Sequence, residues 1–159
     1  MTFIGYERFR GVDDFLAAAR SRIGRLSPIE AAEQVRRGAI VVDIRPAWQR
    51  EVDGEVPGSV IVERNHLEWR LHPDSGASLP QAGAGQEWIV LCTEGYTSSL
   101  AAASLVSIGV RAVDVDGGIR AWRRAGLPIA EGPSAVETVV QPYRPRPHGP
   151  APAAWRGAS

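Results

Sequence analysis

Short apolar runs alternate with helix signals along residues 26–130, and no other feature of the sequence constrains the fold as strongly. Runs rich in β-branched residues and of strand length lie at 39–45, 60–62, 88–91 and 110–115. Helical or turn-rich segments separate them. Strands that alternate with helices are typical of parallel sheets with helical crossovers. The pattern therefore predicts a single α/β domain over this part of the chain.

The clearest helix start in the sequence is at Ser27. Ser27 can act as the N-cap, Pro28 fits the first helical position, and Glu30 completes a capping box. Gly38 follows at a spacing that suits the left-handed position after a helix end. We therefore expect a helix between these residues, directly before the first predicted strand.

The two ends of the chain differ from this middle part. Residues 1–25 carry apolar residues at spacings of three and four, which predicts an amphipathic helix packed across the flank of the domain. Residues 132–159 contain six prolines and many small residues, which predicts a mobile or polyproline-like tail. The expected division is an N-terminal helical extension at 1–25, a domain at 26–131 and a tail at 132–159.

The composition excludes several classes of function. The formal net charge is zero, so there is no electrostatic case for a nucleic acid or an acidic membrane surface as partner. All 18 basic residues are arginine, which excludes mechanisms that need a lysine. No apolar run approaches the roughly 20 residues that span a membrane. A single cysteine forms no internal disulfide and is typical of a reducing compartment, so we expect a cytoplasmic protein.

Cys92, the only cysteine, lies where a predicted strand meets a predicted helix. Gly95 lies in the polar loop that follows it, and Ser98 and Ser99 begin an alanine-rich helix. The N–H groups of such a loop and of the first helical turn lack intrahelical partners and stabilise an anion, here the thiolate. We interpret Cys92 as a nucleophile. The alternative, a buried small hydrophobe, is less typical of a cysteine before a glycine-containing turn.

Other polar candidates have weaker support. Asp43 lies at the carboxyl end of its strand, where open α/β sheets place their sites, but we favour a structural role as the anchor of the next loop. His66 and His72 lack a third ligand nearby, so we expect no zinc site and solvated side chains. We expect Trp48, in a short helix, to be packed rather than functional.

Several separated motifs share the order and spacing of one protein family. They are VVDIR (41–45), Glu51, GEVPGS (54–59), IVLCTEGYTSS (89–99), DGGIRAW (116–122) and AGLPI (125–129). On these motifs the chain resembles the rhodanese-like sulfurtransferases, of the thiosulfate and mercaptopyruvate type. The resemblance implies a five-stranded parallel sheet with helices on both faces. It also implies an active-site loop of six residues at 92–97.

The resemblance further implies a sulfur transfer in two steps. The Cys92 thiolate takes the outer sulfur of a small-molecule donor, and a thiol or cyanide acceptor then removes that sulfur from the Cys92 persulfide. No metal or organic cofactor is implied. Backbone N–H groups would stabilise the persulfide anion, with added hydroxyl donors from Thr97 and Ser98. The expected substrate- and persulfide-binding residues are Thr93, Glu94, Gly95, Tyr96, Thr97 and Ser98.

Three residues match structural positions of the family. Asp43 corresponds to a buried acidic residue that is mainly structural. Arg45 and Glu51 correspond to a pair expected to form a salt bridge that supports the active-site side of the domain. Glu55 replaces the histidine of a Gly-His-Ile-Pro-Gly motif, and we expect little effect on the chemistry.

The chain departs from the family directly after the cysteine. Many members carry arginine or lysine there, whereas this chain has Thr93 and Glu94. A carboxylate beside a dianionic donor is repulsive by about 1 kcal/mol or more. We therefore expect thiosulfate to be a poor donor compared with a neutral or monoanionic donor or a protein persulfide. Arg64 could restore positive charge at the site, but we expect it to point into solvent.

Two other functions compete with sulfur transfer. Cysteine phosphatases need an arginine six residues after the cysteine to bind phosphate, and position 98 is serine, which disfavours that class. A non-catalytic or weakly active binding module of the same fold is the main alternative. The presence of Cys92 favours the enzyme. The sequence makes no prediction of the oligomeric state.

Overall fold

The fold is built on one parallel sheet, seen in a computed structural model that describes residues 9–142. The strands are β1 (Arg25–Leu26), β2 (Ile40–Asp43), β3 (Val60–Ile61), β4 (Glu87–Leu91) and β5 (Arg111–Val115). Their order across the sheet is β1-β5-β4-β2-β3, and every neighbouring pair is parallel. The predicted α/β class and five-stranded parallel sheet are confirmed.

Helices cover both faces of this sheet. The helices are α1 (Val12–Arg20), α2 (Pro28–Arg36), α3 (Ala47–Asp53), α4 (Leu67–Leu71), α5 (Thr97–Ser107) and α6 (Gly118–Arg124), with a 3-10 turn at Arg64–His66. Successive residues of a strand point to opposite faces, so Val90 packs with α4 and α5 while Ile89 packs with α2 and α6. Helix α1 packs on α5.

The predicted capping box forms at the start of α2. The Ser27 hydroxyl accepts the N–H of Glu30 at 3.3 Å, and the Glu30 carboxylate accepts the N–H of Ser27 at 2.8 Å. These hydrogen bonds hold the pKa of Glu30 below its usual value. Gly38 follows the helix with φ of 106°, in the region that favours glycine. The local sequence signals around this helix are therefore confirmed.

The segment after Gly132 packs against the sheet as far as the structure describes it. Val140 is 2% exposed, and its N–H and carbonyl bond to Ser59 and Gly58 at 2.8 and 2.7 Å. The N–H of Ile61 bonds to the carbonyl of Thr138, so the segment covers the open edge of β3. The prediction of a mobile tail over 132–159 is wrong for this first part. Residues 143–159 lie outside the described part of the chain.

Trp48 is 65% exposed, so the prediction that it is packed is wrong. The reason is the orientation of α3. Two residues along a helix correspond to a rotation of about 200°, so Trp48 and Arg50 lie on opposite faces. Arg50 is the buried residue of this helix, because it forms an internal ion pair with Glu55.

The N-terminal extension contains the expected helix, which begins at Val12. Leu16 and Ala19 are its buried residues, whereas Val12 is 72% exposed. The first eight residues lie outside the described part, and the division of the chain at 26 and 131 stays a prediction. Within residues 9–142, no helix has both the length and the apolar character needed to cross a membrane.

Candidate active site around Cys92

Cys92 follows the last residue of β4, at the carboxyl edge of the sheet, and is 3% exposed. It lies in the wall of a cavity of about 530 Å³, called the Cys92 cavity below. This cavity is also lined by Ile44, Arg45, Pro46, Gln49, Arg64, Thr93, Glu94, Tyr96, Thr97 and Arg120. Cys92 is thus largely buried but borders a cavity whose volume is in the size range of small-molecule sites.

A second cavity, of about 560 Å³, lies at the opposite, amino edge of the sheet. Its lining comes from the first residues of β4 and β5 and is mostly apolar, with Trp88 and Val110 among its members. None of its lining residues carries a nucleophilic side chain. Of these two cavities, the Cys92 cavity is the one whose lining includes a thiol.

The loop after Cys92 directs a backbone donor at the sulfur. The N–H of Gly95 lies 3.1 Å from the Cys92 Sγ. Gly95 has φ of 86°, and a Cβ at this position would lie 2.7 Å from the backbone nitrogen of Gly117. Only glycine fits this conformation and this space. The expected bend of the loop at Gly95 is present, and at least one amide points inward.

The first turn of α6 holds two carbonyls of the loop outward. The carbonyl of Cys92 accepts the N–H of Ile119 at 2.9 Å, and that of Thr93 accepts the N–H of Arg120 at 3.3 Å. Gly118, with φ of 60°, allows this approach, because a Cβ there would lie 2.5 Å from the Cys92 carbonyl oxygen. The C=O and N–H of a trans peptide point in opposite directions. The N–H groups that follow these two carbonyls therefore point away from α6.

Two arginines from the N-terminal part of the chain hold a third carbonyl. The carbonyl of Gly95 accepts Nη2 of Arg20 at 2.8 Å and Nη2 of Arg25 at 2.9 Å. Arg25 also pairs with the buried Asp114 at 2.9 Å. Partial burial opposes the charge of Arg25, but the hydrogen bonds and the carboxylate of Asp114 outweigh it and raise its pKa. Sequence reasoning missed both arginines, because contacts over 70 or more residues carry no local signal.

Ser98 points away from the cavity. Its side chain is fully buried, and its hydroxyl donates to the Asp114 carboxylate at 2.8 Å. Ser99 donates to the same carboxylate oxygen at 2.8 Å. The prediction that Ser98 adds a hydroxyl donor at the sulfur is therefore wrong, because its one proton is used in this buried network. Thr97 is exposed in the wall of the Cys92 cavity, and its role there stays a prediction.

Thr93 ties the loop to helix α3. Its hydroxyl donates to the side-chain oxygen of Gln49 at 2.8 Å, and both residues line the Cys92 cavity. The sequence contained no signal for Gln49, because a polar residue on a short helix is ordinary. The structure adds it to the side chains that line the Cys92 cavity.

The charged side chains of the cavity wall are paired. Glu94 forms an ion pair with Arg120, and both side chains are half-exposed. Arg64 lines the cavity and pairs with Glu68 at 2.8 Å, so the prediction that Arg64 points into solvent is wrong. Partial burial opposes ionisation of Glu68, but hydrogen bonds from Ser104 and Arg64 outweigh it, and the pKa of Glu68 is lowered.

Arg45 pairs with Asp43 and not with Glu51. Both Arg45 and Asp43 are buried, and two guanidinium nitrogens contact the two carboxylate oxygens at 2.9 and 2.6 Å. Glu51 is exposed on α3, so the predicted Arg45–Glu51 salt bridge is wrong. Burial raises the pKa of Asp43, and the charge and hydrogen bonds of Arg45 oppose the rise. The structural role predicted for Asp43 agrees with this geometry.

A second buried ion pair involves Glu55, for which the sequence predicted little effect. Arg50 contacts Glu55 at 3.1 Å, and each also bonds to the backbone of Ser134, through its carbonyl at 2.6 Å and its N–H at 2.7 Å. This pair therefore attaches the C-terminal segment to the loop before β3. Among residues 9–142, no group of three His, Cys, Asp or Glu side chains is placed to hold a metal ion.

The family of the chain follows from its comparison with known proteins. A family model described as a rhodanese-like domain matches residues 27–125. The chain belongs to this family. The thiosulfate sulfurtransferase GlpE of Ectopseudomonas mendocina is 36% identical over 105 residues, which are 65% of this chain and 87% of that relative. The relationship supports a sulfurtransferase-type function at the level of the family.

Solved structures agree with this fold. A Rhodopseudomonas palustris protein of unknown function, described as a possible tyrosine phosphatase, is 30% identical with a TM-score of 0.70, over 80% of this chain and 99% of its own. The polysulfide-sulfur transferase homodimer of Wolinella succinogenes is 21% identical with a TM-score of 0.60, over 74% of this chain and 85% of its own. Similarity at this lower identity shows the rhodanese-like fold alone.

Proposed function

We propose that this rhodanese-like protein transfers a sulfane sulfur from a small donor or persulfide to a thiophilic acceptor through a Cys92 persulfide. The observation that carries the proposal is the contact of 3.1 Å between the Gly95 N–H and the Cys92 Sγ, in the wall of a cavity. A hydrogen-bond donor aimed at sulfur stabilises an anion on it. Both the thiolate and the persulfide of the proposed cycle are such anions.

In the first step the Cys92 thiolate attacks the outer sulfur of the donor. A new sulfur–sulfur bond forms at Cys92 as the donor's own bond to that sulfur breaks, and the donor leaves with the electron pair of that bond. In the second step the acceptor, a thiolate or cyanide, attacks the outer sulfur of the persulfide. The bond to Cys92 breaks and the thiolate is regenerated. The cycle consumes no oxidant, reductant or cofactor.

The persulfide anion must be stabilised without the transfer of a proton to it. The backbone N–H groups of the loop can do this through hydrogen bonds. The carbonyls of Cys92, Thr93 and Gly95 are all held by partners outside the loop. The amide groups that follow them point in the opposite directions. These groups are in place before the reaction, so they need no reorganisation when the charge moves to the outer sulfur.

We propose an organic persulfide or thiol-derived donor in preference to thiosulfate. The cavity of about 530 Å³ is in the size range of sites for organic molecules. Its half-exposed arginines, Arg64 and Arg120, already pair with Glu68 and Glu94. A dianion gains less from paired cations than from free ones. The cycle also needs Cys92 as a thiol, which agrees with the proposed cytoplasmic location.

Sulfur transfer accounts for this site better than phosphate ester hydrolysis, which the description of the Rhodopseudomonas relative suggests for that protein. Phosphatases of similar loop design bind phosphate with an arginine side chain from the end of the loop. In this chain the corresponding position is Ser98, which is buried against Asp114. A non-catalytic binding module of the same fold stays the alternative to an enzyme.

The test is incubation of the protein with thiosulfate, mercaptopyruvate and glutathione persulfide, followed by intact mass measurement. We expect an adduct of one sulfur atom with at least one donor, its absence in Cys92→Ser, and its removal by cyanide or a thiol. Catalytic turnover with an acceptor supports the enzyme. An adduct that no acceptor removes would favour the binding module, and no adduct with any donor would contradict the proposal.

A further inference from the structure

We propose that Arg20, on the N-terminal helix α1, is a positioning residue of the active-site loop. The proposal rests on the sulfur transfer proposed above and extends the site beyond the family domain. The family model begins at residue 27, so Arg20 and β1 both precede it. The N-terminal helix then positions the active-site loop, in addition to packing on the flank of the domain.

Arg20 contacts the loop and the start of α5 at three places. Its Nη2 donates to the Gly95 carbonyl at 2.8 Å, and its Nε donates to the Ser99 hydroxyl at 3.1 Å. Its guanidinium also lies over the ring of Tyr96, 5.7 Å from the centroid. A planar guanidinium with two hydrogen bonds and a stacked ring is held in one orientation.

These contacts determine the orientation of the peptide between Gly95 and Tyr96. A peptide next to a glycine with positive φ has more freedom to rotate than others in the loop. Arg20 holds the carbonyl of this peptide on its own side. The N–H of Tyr96 must therefore point to the other side of the loop, away from α1. Arg20 and Arg25, which both donate to this carbonyl, thus select the orientation in which the Tyr96 amide can serve as a donor for an anion.

Arg20 also differs from its neighbour Arg25 in charge. Arg25 is compensated by Asp114 and Asp116, at 2.9 and 3.0 Å. Arg20 forms no ion pair with a carboxylate in the part of the chain from 9 to 142. The Asp114 carboxylate reaches Arg20 only through the Ser99 hydroxyl, so the positive charge of Arg20 behind the loop is less directly compensated than that of Arg25. Thr93 and Glu94, the residues that follow Cys92, carry no positive charge. The charge of Arg20 favours an anion at the sulfur.

The test compares Arg20→Gln with Arg22→Gln. Arg22 follows the same helix and donates to the Ser107 hydroxyl at 3.0 Å, far along α5 from the loop, which makes it a matched control. We expect Arg20→Gln to slow alkylation of Cys92 by iodoacetamide at neutral pH about threefold. We expect it to lower kcat for sulfur transfer about tenfold with little change in KM, because Arg20 does not line the cavity. Arg22→Gln should change neither.

A third variant separates position from charge. Arg20→Lys keeps the charge but forms fewer hydrogen bonds, so alkylation should recover while kcat stays about threefold below the wild type. Thermal unfolding of each variant checks the fold. If Arg20→Gln does not fold, the kcat of Arg20→Lys tests the proposal instead. Wild-type kcat in Arg20→Lys, or Arg20→Gln that behaves like Arg22→Gln in both assays, would overturn the proposal.

The alkylation assay keeps this proposal separate from the proposed function. If wild-type protein accepts no sulfur but Arg20→Gln still slows alkylation, sulfur transfer fails and the role of Arg20 stands. If wild-type protein turns over and Arg20→Gln matches it in both assays, sulfur transfer stands and the role of Arg20 fails.

Discussion

The backbone N–H of Gly95 lies 3.1 Å from the sulfur of Cys92, while the carbonyl of the same glycine is held by two arginines on the other side of the loop. One residue thus connects Cys92 to the N-terminal helix and to β1. The short contact with sulfur depends on a backbone conformation with φ of 86° in a crowded space. The backbone itself thus directs the N–H of Gly95 at the sulfur in the absence of a substrate.

The first prediction concerns this glycine. Gly95→Ala introduces a Cβ that would lie 2.7 Å from the Gly117 nitrogen, so the loop must move. We expect kcat for sulfur transfer to fall at least about tenfold, and the free energy of unfolding to fall by about 2 kcal/mol. Chemical denaturation and single-turnover kinetics measure the two effects.

Gly109→Ala is the matched control for Gly95→Ala. Gly109 has nearly the same backbone angle, φ of 84°, but a Cβ there would meet no atom within 4 Å. We expect a loss of about 1 kcal/mol in the free energy of unfolding and unchanged activity. Equal loss of activity in both variants would show that the loss comes from backbone strain in general and not from a displaced active-site loop.

The second prediction concerns the buried pair of Asp43 and Arg45. Asp43→Asn leaves the Arg45 guanidinium buried without its charged partner, since Arg45 is 1% exposed. We expect the free energy of unfolding to fall by about 3–5 kcal/mol. Glu51→Gln, at the residue first expected to be the partner of Arg45, should change it by less than about 0.5 kcal/mol. A larger effect from Glu51→Gln than from Asp43→Asn would contradict the pairing.

The third prediction concerns the ion pair of Glu94 and Arg120 in the wall of the Cys92 cavity. Glu94→Gln leaves Arg120 without its partner and should raise kcat/KM for thiosulfate about fivefold. Arg120→Gln leaves Glu94 uncompensated and should lower it by a similar factor. Changes in the same direction for both variants would mean that the charge of this pair does not act on the donor.

The fourth prediction concerns pH and Glu68. The pKa of Glu68 in the folded protein is lowered from its ordinary value of 4.5, because the hydrogen bonds of Ser104 and Arg64 outweigh partial burial. The ionised carboxylate therefore stabilises the fold above about pH 4.5, and this stabilisation is lost as the pH falls through the folded pKa. We expect Tm to fall more between about pH 6 and about pH 3 in wild type than in Glu68→Gln. Equal falls in the two proteins would refute this contribution.

The sequence was informative where the structure depends on local signals. The capping box of Ser27 and Glu30, the alternation of strands and helices, and the turn at Gly95 all follow from neighbouring residues. Each of these features is determined by backbone geometry and by the period of the apolar pattern. They sufficed for the fold class and for the position of the loop after Cys92.

Contacts between segments that are distant along the chain could not be predicted from local sequence signals. Arg20 and Arg25 reach Gly95 across 75 and 70 residues, and nothing in their local sequence distinguishes them from other surface arginines. The segment with Val140 was misjudged because its prolines suggested disorder, although its apolar residues find a partner in the edge of β3. Ion pairs were the least predictable, as the pairing of Arg45 with Asp43 shows.

The central claim is that Cys92 carries sulfur during the reaction, and intact mass measurement after incubation with a sulfane-sulfur donor tests it most directly. We predict one added sulfur atom on the wild-type protein, none on Cys92→Ser, and loss of the added atom when an acceptor thiol is supplied. An adduct that persists in Cys92→Ser, or a wild-type protein that stays unmodified by thiosulfate, mercaptopyruvate and glutathione persulfide, would contradict it.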